Sequence, residues 1–290
     1  MEFDLSAILL GLTVVFGVIW ALDRLVFAKR RVAGKAEPMI VDWARSLFPV
    51  VLLVLVLRSF VAEPFRIPSG SMMPTLDIGD FILVNKFAYG LRLPVFNDKV
   101  VSLGEPKRGD VVVFRWPGFR CEAADGSTIR GGDINCNSPV PSQNWIKRVI
   151  GLPGDHIEVN GDELRINGTP ITAQEVGPFV GNTSHDTDRM MMQRQATVWN
   201  EDLMGVRHLI ARMPPSPNYD PPPSIPGQLV TSGTVPANCY LVMGDNRYDS
   251  LDSRWWGCVP EKNLAGKAFL IWLSWTGHGI AFHRIGTLIH

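Results

Sequence analysis

Two apolar runs near the N-terminus constrain this chain more than any other feature. Residues 5–22 carry no charge over eighteen positions, end at Asp23-Arg24 and are followed by Lys29-Arg30-Arg31. At about 1.5 Å per residue, a helix of this length with its flanks crosses a hydrocarbon core of ~30 Å. A cleavable signal peptide would place its cationic end ahead of the apolar run, and here Glu2 and Asp4 come first, so a retained anchor is expected. The second run, residues 46–57, has twelve uncharged positions and alone suits a core or interfacial segment. Widened to 39–60 it becomes a full span, with Asp42, Arg45 and Arg58 at the two interfaces and Trp43 among head groups. The expected spans are therefore about 5–25 and 40–60.

Orientation follows from charge. Residues 23–45 hold six Lys or Arg against three acids, which places the loop, and residues 28–39 within it, in the cytoplasm. The N-terminus and everything after Phe60 are then outside. Charged residues make up only 19% of the chain, as suits a membrane protein, and a net charge of zero gives no electrostatic case for nucleic acid as a partner.

Beyond the second run the chain reads as β-structure. Residues 81–84, 110–116, 145–151, 239–244 and 267–275 are apolar strands bounded by Gly, Pro and Asp. Residues 86–106 form an extended excursion with hairpin character. Two Asn-Gly turns, at 160–161 and 167–168, sit between alternating residues and predict tight hairpins. Residues 173–213 lose this regularity and suggest no site. Residues 214–226 contain seven prolines and read as an extended exposed loop.

The four cysteines, at 121, 136, 239 and 258, have no histidine beside them and no Cys-x-x-Cys spacing, which argues against zinc. An extracytoplasmic domain tolerates disulfides. Cys121 with Cys136 is one bridge the spacing favours. Cys239 and Cys258 either lie on neighbouring strands or are buried thiols. None of the six histidines falls in a His-Glu-x-x-His motif, and no Gly-x-Ser-x-Gly elbow is present.

The remaining candidate chemistry lies in Ile67-Pro68-Ser69-Gly70-Ser71-Met72-Met73-Pro74-Thr75-Leu76. Two prolines and Gly70 hold Ser69 and Ser71 in an ordered turn. Ser71 follows Phe60 by eleven residues, so it lies within roughly 40 Å of the bilayer surface. A turn serine is either structural or a nucleophile that needs a base. Lys147 stands inside an apolar strand, where it points either to solvent or inward. If inward, burial lowers its pKa by several units and the neutral amine can take the Ser71 proton, the Ser-Lys variant of the catalytic triad.

Four segments, in order, resemble the boxes of bacterial type I signal peptidase, also called leader peptidase. They are residues 69–76, 109–114, 146–155 and 244–254. The resemblance implies a mainly β, partly barrel-like extracytoplasmic catalytic domain on two N-terminal transmembrane helices. Its expected organisation is an anchor at 1–60, a catalytic core at 61–155 and 239–276, an inserted β-rich subdomain at 156–238 and a tail at 277–290. It implies Ser71 as nucleophile and Lys147 as general base. Ser69 resembles the oxyanion-hole hydroxyl, acting with the Ser71 amide, and Ser250 the serine that orients the lysine amine. Asp252 and Arg254 resemble a supporting ion pair. Where the family box usually has Asp-Asn before the matching serine, this chain has Tyr248-Asp249.

The same resemblance implies cleavage of exported preproteins after Ala-x-Ala, with Phe65, Ile67, Met72, Leu76, Val113, Trp145 and Ile146 as pocket walls and the peptide added as a strand. It implies no metal or cofactor, the bilayer of the bacterial inner membrane as surroundings, and a monomer working near the translocation machinery. Two other classes compete. A membrane-anchored binding or assembly domain would use the serine turn only as structure. A self-cleaving Ser-Lys repressor would share the dyad, but two spans and the lack of a DNA-binding segment argue against it.

Overall fold

The computed structural model describes residues 5–27, 31, 37–56, 62–92, 99–118, 143–181, 185–214, 232–275, 277 and 279–290. Cys121 and Cys136, with the bridge expected between them, lie outside the described residues, as does most of the proline-rich stretch. The chain divides into two compact units, Met1–Glu63 with Gly90–Leu103, and Pro64–Tyr89 with Gly104–His290.

In the first unit, α1 (Leu5–Leu22) runs into a π-helical turn at Asp23–Phe27, and α2 (Met39–Val56) follows. Both are long and apolar enough to cross a membrane. They pack on each other: the Trp20 and Phe48 ring centroids are 5.6 Å apart, and Gly17 makes room for Phe48, since a Cβ there would come to 3.0 Å from its ring. Asp23 pairs with Arg31, and Arg45 with Glu37 at 3.3 Å, so charges gather at the connecting segment and not within the apolar faces. The same unit holds β3 (Leu91–Arg92) paired antiparallel with β4 (Lys99–Val101).

The second unit is built on a seven-stranded sheet. Its strands are β1 (Ala62–Arg66), β2 (Asp80–Asn85), β5 (Val111–Arg115), β6 (Asn144–Gly151), β14 (Cys239–Met243), β15 (Val259–Pro260) and β16 (Leu264–Ser274), in the order β1-β2-β16-β5-β6-β14-β15. Val111 to Phe114 and the inner half of β6 are buried, which accounts for their near-continuous apolar sequence. A second sheet contains β13 (Ser232–Thr234), β7 (His156–Asn160), β8 (Glu163–Ile166) and β9 (Thr169–Pro170). Both expected hairpins are there. The second turns on Asn167 (φ 52) and Gly168 (φ 76), the conformation that Asn-Gly favours, while the first turns one residue later than expected, on Gly161-Asp162. Cys239 and Cys258 form a disulfide across a sequence separation of 19.

Residues 173–213 are more ordered than their sequence suggests. They contribute most of a third sheet, β10 (Thr172–Pro178), β11 (Thr197–Leu203) and β12 (Val206–Arg212), and a helix α3 (Asp186–Gln193). Two polar side chains, Glu201 and His208, occupy buried positions on β11 and β12, while Leu209 points outward, so the alternation that signals a strand is broken. The β11–β12 turn is Met204 (φ 56) and Gly205 (φ 96), and Met is not a recognised turn residue.

Residues 279–290, expected as a tail, fold back along β16. Gly286 N–H donates to Ile271 O, Ile271 N–H to Thr287 O and Ile289 N–H to Phe269 O.

Candidate active site

The serine turn follows β1 and precedes β2. Its ends are tied by Ile67 N–H to Asp80 O (2.8 Å) and Gly79 N–H to Ile67 O (3.0 Å), and Leu76 N–H closes onto Met72 O. Gly70 is required by crowding: a Cβ there would lie 2.6 Å from Thr187 Cγ2 on α3. The turn leaves Ser69 exposed and Ser71 only 8% exposed. Among the described residues the Ser71 amide has no acceptor.

β6 delivers Lys147 to this turn. Its Cα partner on β5 is Val112, and the side chain is 4% exposed. Lys147 Nζ donates to Ser71 Oγ at 2.6 Å, across 76 residues of sequence. Burial pushes the amine down from 10.5 to about 8, with the charges of Asp252 and Asp245 pulling partly the other way. Ser69 Oγ stands 3.5 Å from Ser71 Oγ, a contact and not a strong bond.

The loop after β14 supplies the rest. Ser250 is 6% exposed and packs on Gly244, where any Cβ would collide with Ser250 and the Ser71 carbonyl. Its hydroxyl faces Asp252, which it helps to keep ionised, and makes no full hydrogen bond; the structure does not bring it onto the lysine amine. Asp252 is fully buried and accepts from Gly244 N–H (2.9 Å), Arg254 Nε and Arg254 Nη2 (both 2.8 Å). Burial alone would raise its carboxyl, but Arg254 and the Gly244 amide outweigh that and hold it below the usual range. The pair thus fixes the Gly244 turn from behind.

The seven candidate pocket residues divide. Ile67, Met72, Leu76 and Val113 are at most 2% exposed and form one core cluster, with Phe65 and Ile146 half-buried at its edge. Trp145 belongs to the neighbouring cluster, on the Lys147 face of β6, stacked on Trp116 at 4.8 Å and 5.7 Å from the Lys147 ammonium. Of the seven, only Phe65, Ile146 and Trp145 present surface to solvent.

A family model described as "Signal peptidase, peptidase S26" matches residues 40–275. The chain belongs to this family. It is similar to signal peptidase I of Pseudomonas fluorescens (38% identity, covering 99% of this chain and all of that one), of Pseudomonas aeruginosa (36%, with the same coverage) and of Haemophilus influenzae (33%, covering 93% and 85%).

In this member of the S26 family, two groups that the sequence reading passed over hold the site together. Asn246 is fully buried; its N–H donates to Ser71 O and its Nδ2 to Gly70 O, both at 3.1 Å. Arg148, beside the lysine and also fully buried, makes a two-pronged bond to Asp245 at 2.8 and 2.7 Å, and Thr75 Oγ1 donates to the same carboxylate at 2.5 Å. Behind them Arg247 and Glu201 form a two-pronged buried pair, with His208 Nε2 3.2 Å from Glu201. A charged residue in an apolar box was the available signal for Arg148. Nothing local marked Glu201 or His208. Among the described residues no group of three or more His, Cys, Asp or Glu is placed to hold a metal.

Proposed function

We propose that this protein is a membrane-anchored serine endopeptidase that removes signal peptides from exported preproteins after Ala-x-Ala, with Ser71 as nucleophile and neutral Lys147 as general base. The observation that carries the reading is the 2.6 Å contact between Ser71 Oγ and a lysine amine that burial has brought down to about 8. A lysine at its ordinary pKa would be neutral to only about 0.03% at pH 7, whereas this one is neutral to about a tenth.

In the reaction, the neutral amine accepts the Ser71 hydroxyl proton as Oγ attacks the carbonyl of the second alanine. Charge that develops on the carbonyl oxygen meets the Ser71 amide and the exposed Ser69 hydroxyl, and loss of one such donor costs about 2.7–4 kcal/mol of transition-state stabilisation. The Lys147 ammonium then returns the proton to the departing amine, and water, activated by the same lysine, releases the acyl group. Ser250, the Asp252–Arg254 pair and Asn246 act by holding the Gly244 turn and the serine turn in register. Phe65, Ile146 and Trp145 line the shallow pockets, backed by Ile67, Met72, Leu76 and Val113. The peptide pairs as an added strand along the outer edge of β1, the end strand of the sheet; β5 is paired on both sides, with β16 and β6, and offers it no edge.

The positive segment between α1 and α2 supports a cytoplasmic loop at 28–39, with the N-terminus and the catalytic unit on the periplasmic side of the inner membrane. The enzyme works as a monomer close to the translocation machinery that delivers its substrates. The deciding experiment is cleavage of an Ala-x-Ala preprotein in detergent: Ser71→Ala and Lys147→Ala each abolish it with the fold retained. Cleavage surviving in either variant would remove the dyad and favour a binding role for the domain.

A further inference from the structure

Residues 279–290 lie beyond the stretch that the family model matches, yet they reach the serine turn and the strand of the lysine at three points. First, Arg284 Nη2 donates to Thr75 O at 3.2 Å, while Nε and Nη2 hold the fully buried Asp80 carboxylate at 3.0 and 2.6 Å. The same carboxylate accepts the Asp77 amide, so one guanidinium fixes the downstream half of the turn. Second, Ile289, 5% exposed, packs into the core cluster of Met72 and Leu76. Third, the main-chain carbonyl of His290 accepts from Arg148 Nη1 at 2.5 Å.

The third point gives the segment its leverage. Arg148 is 0% exposed, and a guanidinium has five N–H donors. Four acceptors meet them closely, both Asp245 oxygens, Gly109 O and His290 O, and Thr75 Oγ1 stands as a longer contact at 3.5 Å. Without the last carbonyl, one donor on a buried cation loses its acceptor, and the guanidinium relaxes at the expense of its other bonds. Those bonds hold Asp245 and Thr75, and the strand residue next to Arg148 is Lys147. Thr75 is the junction, gripped through its carbonyl by Arg284 and through its hydroxyl by Asp245.

We infer that the segment from Arg284 to His290 is a positioning brace for the reaction: through Thr75 and Arg148 it sets the distance between Ser71 and Lys147. None of its residues touches substrate. The inference rests on the proposed Ser71–Lys147 chemistry, and its test separates the two. Full-length enzyme in detergent is assayed on an Ala-x-Ala preprotein, with kcat and KM determined separately and kcat normalised to the folded fraction from circular dichroism. Arg284→Gln, Arg284→Lys and removal of residues 288–290 are compared with wild type and Ser71→Ala.

A misplacement near 1 Å costs on the order of 100-fold, so Arg284→Gln and the shortened chain are expected to lose roughly 10- to 100-fold in kcat with KM within about twofold. Arg284→Lys keeps a charge beside Asp80 but lacks the fork that reaches Thr75, and is expected to recover stability more fully than kcat. Wild-type kcat per folded molecule in Arg284→Gln and Arg284→Lys, or a loss that follows the unfolded fraction alone, would overturn the brace. Cleavage by Ser71→Ala would strike the dyad instead and leave the brace without a reaction to serve.

Discussion

Lys147 carries two opposed demands in one side chain. Burial holds its amine near 8 in the folded state against 10.5 for an ordinary lysine, so below pH 8 the fold bears a buried ammonium. The sign follows from proton counting. Between about 8 and 10.5 the unfolded chain binds more protons than the native one, so stability rises with pH across that window and the penalty, about 3 kcal/mol, applies in full at neutral pH and below. Two outcomes are expected. The pH dependence of kcat/KM has an ascending limb with its midpoint near 8, and a limb that climbs on to about 10.5 would mean an unperturbed lysine. Lys147→Met, which removes the buried charge at similar volume, raises the unfolding midpoint at pH 7 while abolishing turnover, and the gain shrinks as the pH rises from about 8 to 10.5. The same lysine is neutral to about a tenth at pH 7, which is how the site trades stability for a usable base.

At the scale of elements, the catalytic loop between β14 and β15 is held from two sides. Asp252 and Arg254 grip it from within, and β11–β12 grips it from behind through Glu201 and Arg247. Burial alone would raise the Glu201 carboxyl, but Arg247 and His208 hold it far below the carboxylate range, so the pair is intact at neutral pH and fails only in strong acid. Glu201→Gln leaves Arg247 as a buried cation without its counter-charge, and breaking such a pair costs roughly 3–5 kcal/mol, measurable as a lower denaturant midpoint. These contacts also explain what could be read from the chain and what could not. The strands at 81–84, 111–115 and 145–151, both hairpins, and the nearness of Ser71 to Lys147 were legible because apolar runs, turn residues and family boxes are local patterns. The β10–β11–β12 sheet was not, since Glu201 and His208 spend inward positions on a charge network whose partners, Arg247 and Asp245, are some forty residues away. Ser250 was expected on the lysine and instead faces Asp252. Four of the seven pocket candidates are buried in a core cluster, a distinction the chain did not show because apolar side chains beside a cleft and beneath it look alike in sequence.

Over the whole molecule, the two units have different solvents as their reference. The helices of the first leave apolar faces outward, while the second encloses a conventional core and is stitched by the Cys239–Cys258 bridge near the catalytic loop. The seven-stranded sheet has its own asymmetry: β16 lies between β2 and β5, strands that precede it by some 180 and 150 residues. During synthesis β2 and β5 are therefore each left with an open edge until residues 264–274 arrive, and long-range pairing of this kind is slow. A chain ended before Leu264 is expected to lack the native near-ultraviolet dichroism and to show no cleavage, although Ser71, Lys147 and the 244–254 loop are all present. Because this inner strand is made late, the chain is expected to stay inactive towards any polypeptide, itself included, until residues 264–274 have closed the sheet.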